Sequence, residues 1–151
     1  MKTLFLLLSA ALCLTAGAQE ELFRKYPSHT IKYHSTFRDS SGRSTGTARR
    51  SGSTVTYRDS SGRIIGTARE NGSSITYRDS SGRIIGTERV TGNRSTFRDS
   101  SGRVSGTADT IGNRTTYRDS SGRVSGTLYR NGKSSTYRDN SGRYSGSGRE
   151  L

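Results

Sequence analysis

The chain is poor in the residues that most often carry chemistry or cross-link a secreted fold. Its 151 residues include one cysteine, one proline, two histidines and no tryptophan. Cys13 lies within an apolar N-terminal stretch, so the remainder has no disulfide, thiol nucleophile or thiolate metal site. His29 and His34 stand before the repetitive part of the chain, and no phosphate loop or metal-ligand spacing accompanies them. This excludes the usual catalytic constellations, so the expectation is a non-enzyme with no cofactor, metal or catalytic residue. Only 27% of the residues are hydrophobic, a level bordering on that of chains too polar to bury a core.

Long apolar runs are also missing. The longest, "TLFLLLSAALCLT" after Lys2, is short of the ~20 residues that cross a bilayer. With Ala16-Gly17-Ala18 before Gln19, it reads as a signal peptide over residues 1–18. The mature chain then has no transmembrane segment and is expected in the extracellular space, at the cell surface or in the periplasm. Removing Lys2 from 25 basic residues leaves 24 against 12 acidic ones, a formal +12. Such charge attracts polyanions: acidic polysaccharide, lipopolysaccharide or nucleic acid.

What is present is a period. "TYRDSSGRIIGT" occurs at 56–67 and again at 76–87, with near-copies starting at Thr36, Thr96, Thr116 and Thr136. A twenty-residue period indicates units that bury their surface against their neighbours. Each unit has two β-type segments, such as "STVTYR" and "RIIGTAR", joined by turn signals. In "DSSG" the aspartate comes first and Gly62 fourth; "RENG" places Gly72 likewise. Gly82, Gly92, Gly102, Gly112, Gly122 and Gly132 repeat the pattern. Turns at fixed intervals argue for a folded chain.

If both turns are four-residue bulged turns, paired residue numbers sum to 122 across the first and 142 across the second. Each residue then lies two strands from its copy, without sideways drift. That register puts Tyr57, Ile65, Tyr77, Ile85 and Phe97 on one face, flanked by Val55, Thr67 and Ile75. It makes a charge ladder of Asp59, Arg63, Asp79, Arg83, Asp99, Arg103, Asp119 and Arg123. Arg58, Arg78, Arg98, Arg118 and Arg138 recur on the other face as the candidate polyanion-binding row, interleaved with Ile64, Ile84, Val104 and Val124. Stacked like charges disfavour a solenoid, and a sheet without stagger cannot close. The expected fold is therefore all-β: an antiparallel meander of six hairpin repeats in an open, twisted sheet, with a β-solenoid or closed barrel as alternatives. A capping segment over residues 19–35, with Leu22, Phe23, Tyr26 and Ile31, precedes twelve strands over 36–151. Open edges near Thr30 to Phe37 and Arg143 to Gly148 invite self-association.

The segment from Tyr57 through Arg-Asp-Ser-Ser-Gly-Arg to Ile64 resembles the YD repeats of bacterial RHS proteins, with Arg58 where their tyrosine precedes the aspartate. The resemblance implies a β-hairpin repeat over residues 36–147. The spacing of Gly66, Gly72 and Gly82 is similar to hairpin repeats of choline-binding and glucan-binding proteins, whose ligand-holding tryptophans are missing here. The pattern YRD-x-x-GR-x-x-GT resembles that of small secreted bacterial repeat proteins. Two functions follow as expectations: a structural or assembling role at the cell surface or in matrix, and a basic scaffold for polyanions. Asn71, Asn93 and Asn113 begin glycosylation acceptor sequences, relevant in a eukaryotic secretory pathway.

Overall fold

The computed structural model describes Ser28 and residues 31–151; the expected signal peptide over residues 1–18 and Leu22, Phe23 and Tyr26 of the expected capping segment lie outside the described residues. Twelve strands follow one another: β1 His34–Asp39, β2 Ser44–Ser51, β3 Thr54–Asp59, β4 Ile64–Asn71, β5 Ser74–Asp79, β6 Ile84–Thr91, β7 Arg94–Asp99, β8 Val104–Ile111, β9 Arg114–Asp119, β10 Val124–Asn131, β11 Ser134–Asp139 and β12 Tyr144–Glu150. Each pairs antiparallel with its sequence neighbours, and β1 pairs with β12. The meander and its hairpins are as the sequence indicates, beginning at His34 rather than Thr36. The open sheet is not: the sheet is a closed barrel.

Closure follows from a register that differs from the expected one at two places. At the first turn Asp59 N–H donates to Arg63 O at 3.0 Å and Gly62 N–H to Asp59 O at 3.1 Å, the predicted pairing. One step further in, Arg58 faces Ile64 while Tyr57 faces Gly66, so Ile65 is an extra residue, a β-bulge. At the second turn Asn71 faces Ser74, leaving the two-residue loop Gly72–Ser73. Gly72, at φ +57°, takes the first loop position, where tight hairpins favour glycine. The number sum there is 145, from 71 and 74, not the expected 142.

The two changes together supply the stagger that closure needs. Tyr57 faces Gly66 and Gly66 faces Asp79, so crossing two strands advances the numbering by 22, from 57 to 79, against a repeat of 20. Across the seam Ser134 faces Arg149 and Arg149 faces Thr36, two places beyond His34, the equivalent of Ser134. Two residues per repeat over six repeats make a stagger of 12. Twelve strands ~4.8 Å apart span ~58 Å, and a 12-residue stagger at ~3.3 Å is ~40 Å. Their ratio gives a strand tilt of about 35°, within the range of closed barrels, and a backbone radius of about 11 Å.

The bulge also swaps the faces of the even-numbered strands beyond it. Thr67, expected inside, pairs with Thr56 on the outer wall, while Ala68 turns inward opposite Tyr77. Inside, a ring of Phe37, Tyr57, Tyr77, Phe97, Tyr117 and Tyr137 faces Gly148, Ala48, Ala68, Glu88, Ala108 and Leu128. Large residues oppose mostly small ones, which suits a barrel filled by its own side chains. Val55, Ile65 and Ile75 extend this core, and Ile31 joins it from the N-terminal side. Outside, Thr36–Thr47, Thr56–Thr67, Thr76–Thr87, Thr96–Thr107 and Thr116–Thr127 form cross-strand pairs, β-branched residues on a pleated surface.

Candidate anion-binding rim

Six turns of sequence RDSSGR, or RDNSGR in the last, gather at one end of the barrel. In each, the aspartate organises the backbone. Asp59 Oδ1 accepts from Ser61 N–H at 2.9 Å, Ser61 Oγ at 2.7 Å and Arg63 N–H at 3.0 Å. The same carboxylate geometry recurs at Asp39, Asp79, Asp119 and Asp139, and Asp99 accepts from Ser101 and Arg103 N–H. The serine hydroxyl is the main reason that Asp39, Asp59, Asp79, Asp119 and Asp139 have pKa values lowered from the usual aspartate value. Desolvation is the next largest influence and opposes it, two backbone N–H groups assist, and the following arginine's charge contributes least. The residues assigned to a charge ladder therefore have, on the aspartate side, a turn-forming role held mostly by hydrogen bonds.

The candidate polyanion row has its own fixed geometry. Arg58, Arg78, Arg98, Arg118 and Arg138 each donate Nη1 to the carbonyl of the turn glycine four residues on, at 2.7 to 3.0 Å. Arg38 does the same to Gly42 at 2.8 Å; it was missing from the sequence-derived row although "FRDSSGR" is legible at 37–43. These guanidiniums are thus held at the rim, with donors left for a ligand. The stagger sets copies about one sixth of the barrel circumference apart, or ~12 Å. Arg58 faces Ile64, Arg78 Ile84, Arg98 Val104, Arg118 Val124 and Arg138 Tyr144. The expected straight row becomes a ring of such pairs around the wall. Counting the second arginine of each turn, Arg43 to Arg143, the rim has twelve arginines against six aspartates, a local +6.

The opposite mouth is built differently, with little in the residue pattern to announce it. Arg50 and Glu70, the last inward-facing residues of β2 and β4, form an ion pair at 2.7 Å. Arg50 also donates Nε to Ile31 O and Nη2 to Ser28 O, both at 2.6 Å, and Ser28 Oγ donates to Glu70 at 2.9 Å. Deeper inside, Tyr77 donates its hydroxyl to buried Glu88 at 2.5 Å. Burial, then the charge of Glu88, pushes the Tyr77 and Tyr57 hydroxyls well above the usual tyrosine value. The signal was the variable end of the second strand: Glu88 stands where three other units have alanine. Among the described residues no group of three potential metal ligands is close enough to hold an ion.

No family model matches the chain, and no curated protein matches it in sequence. Among solved structures it is similar to an X-ray structure of a protein from Arabidopsis thaliana, with a TM-score of 0.56 at 11% identity, covering 80% of this chain and 82% of that one. At that identity the likeness concerns the fold alone.

Proposed function

We propose that the protein is a secreted, non-enzymatic barrel whose arginine rim binds linear polyanions such as acidic polysaccharide, lipopolysaccharide or nucleic acid. The observation that carries this reading is the sixfold RDSSGR rim, in which each turn holds one guanidinium by a single carbonyl and presents a second arginine to solvent. Closely placed cations around a rim raise the local potential beyond what an isolated charge achieves. An assembling role through free sheet edges has less support, because β1 and β12 cover each other.

The test is chromatography on immobilised heparin or DNA with two charge-matched variants. One changes Arg63, Arg83, Arg103 and Arg123 to glutamine at the rim; the other changes Arg49, Arg69, Arg89 and Arg114, exposed at the opposite mouth. Each neutralised phosphate contact steepens the salt dependence of binding. The rim variant should elute at clearly lower salt and with a shallower salt dependence than the mouth variant. Equal elution of the two would reduce the effect to net charge, and a wild-type chain not retained at physiological salt would overturn the reading.

A further inference from the structure

At the mouth opposite the arginine rim, the later repeats and β1 line an open pocket of about 50 Å³. Ile31, Phe37 and Leu128 line its apolar side, and Arg130, Lys133 and Arg149 bring positive charge to it. The earlier repeats show what an arginine at this position does. Arg50 and Arg130 are equivalent, four repeats of twenty residues apart, and Arg50 is saturated by Glu70 and by the carbonyls of Ser28 and Ile31. The corresponding carboxylate for Arg130 is Glu150, twenty residues on. Glu150 instead accepts from Lys32 N–H at 3.0 Å, and among the described residues the Arg130 guanidinium has no hydrogen-bond or ion-pair partner. The mouth thus holds two copies of one arrangement: the first is filled, and in the second Arg130 lines the pocket with no partner for its guanidinium among the described residues.

We infer that this second mouth binds one small oxyanion group, a carboxylate or a phosphate, on the Arg130 guanidinium. A planar fork of N–H donors matches both groups and holds them in two parallel hydrogen bonds. Lys133 and Arg149 add attraction, and the apolar side limits competing water. Size narrows the ligand further. A single water needs ~10–15 Å³ by the same measure, so the pocket's volume matches one small anionic group with a few waters. The site lies at the other end of the barrel from the polyanion rim, and the two proposals stand or fall separately.

The experiment is a titration of the purified protein with sodium acetate and, separately, inorganic phosphate at constant ionic strength, followed by amide NMR shifts of Gly132 and Gly148. At least one anion should give saturable shifts, and which one does distinguishes a carboxylate from a phosphate site. Arg130→Gln should weaken that binding tenfold or more. Glu150→Gln, which removes the competing carboxylate, should leave it intact or strengthen it several-fold. Arg63→Gln at the far rim should not change it. Native-like amide spectra keep each variant interpretable. No saturable shift with either anion, or an Arg130→Gln variant that binds like the wild type, would overturn the site.

Discussion

Asp59 places one carboxylate oxygen within reach of two backbone N–H groups and a hydroxyl, and Asp39, Asp79, Asp119 and Asp139 do the same around the rim. An aspartate at the start of a turn mimics a backbone acceptor, which made this role readable from "DSSG" alone. The arginine beside it was readable only as a charge, because its bond to the glycine carbonyl depends on how the turn folds. The lowered pKa values have a definite consequence for stability. Their folded values lie below the unfolded one, about 3.9, so the native state binds fewer protons. That stabilisation is complete above the unfolded value and is lost as pH falls through the folded values. Thermal unfolding from pH 6 to pH 2 should show a progressive fall in Tm beginning near pH 4. With Asp39, Asp59, Asp79, Asp119 and Asp139 all changed to asparagine, which keeps an acceptor but does not titrate, the acid limb should flatten. An unchanged limb would place the acid sensitivity elsewhere.

At the scale of the strand, alternation was legible and the bulge was not. Tyr57, Val55 and their copies were assigned to one face correctly, since they precede the turn and alternate simply. Thr67 was not, because "IIGT" offers no side-chain cue to say which residue is the extra one. The cue is steric, and it resides in a glycine. A Cβ on Gly86 would lie 2.7 Å from the backbone oxygen of Arg98, closer than van der Waals contact and against an atom that cannot rotate away. Gly62 differs: its surroundings are open, and its constraint is a φ of +84°, where side chains are strained. Gly86→Ala should therefore cost about 2–3 kcal/mol through overpacking, whereas Ser60→Ala in an exposed turn should stay within about 0.5 kcal/mol. Urea denaturation measures both; near-neutral behaviour of Gly86→Ala would mean that the bulge relaxes without cost.

For the whole molecule, the hairpin count was in the sequence and the closure was not. Closure depends on a drift of two residues per repeat, produced jointly by the bulge and the two-residue loop, and each alone looks like a local irregularity. Six such steps bring Phe37 opposite Gly148 and convert two sheet edges into one more pair of strands. A barrel without edges has no strand to offer a second copy, so the intact protein should remain monomeric by light scattering as concentration rises. Deleting residues 144–151 removes β12 and leaves β1 and β11 each with an unpaired side. The truncated chain should then form oligomers that grow with concentration while keeping a β-rich circular dichroism spectrum. Loss of that spectrum would mean that the hairpins fold only when the ring is complete, and edge association should then be tested by introducing Ser147→Pro into the full chain. If the intact protein itself associated with rising concentration, the seam between β1 and β12 would have to open in solution, and an assembling role would regain the edges it requires.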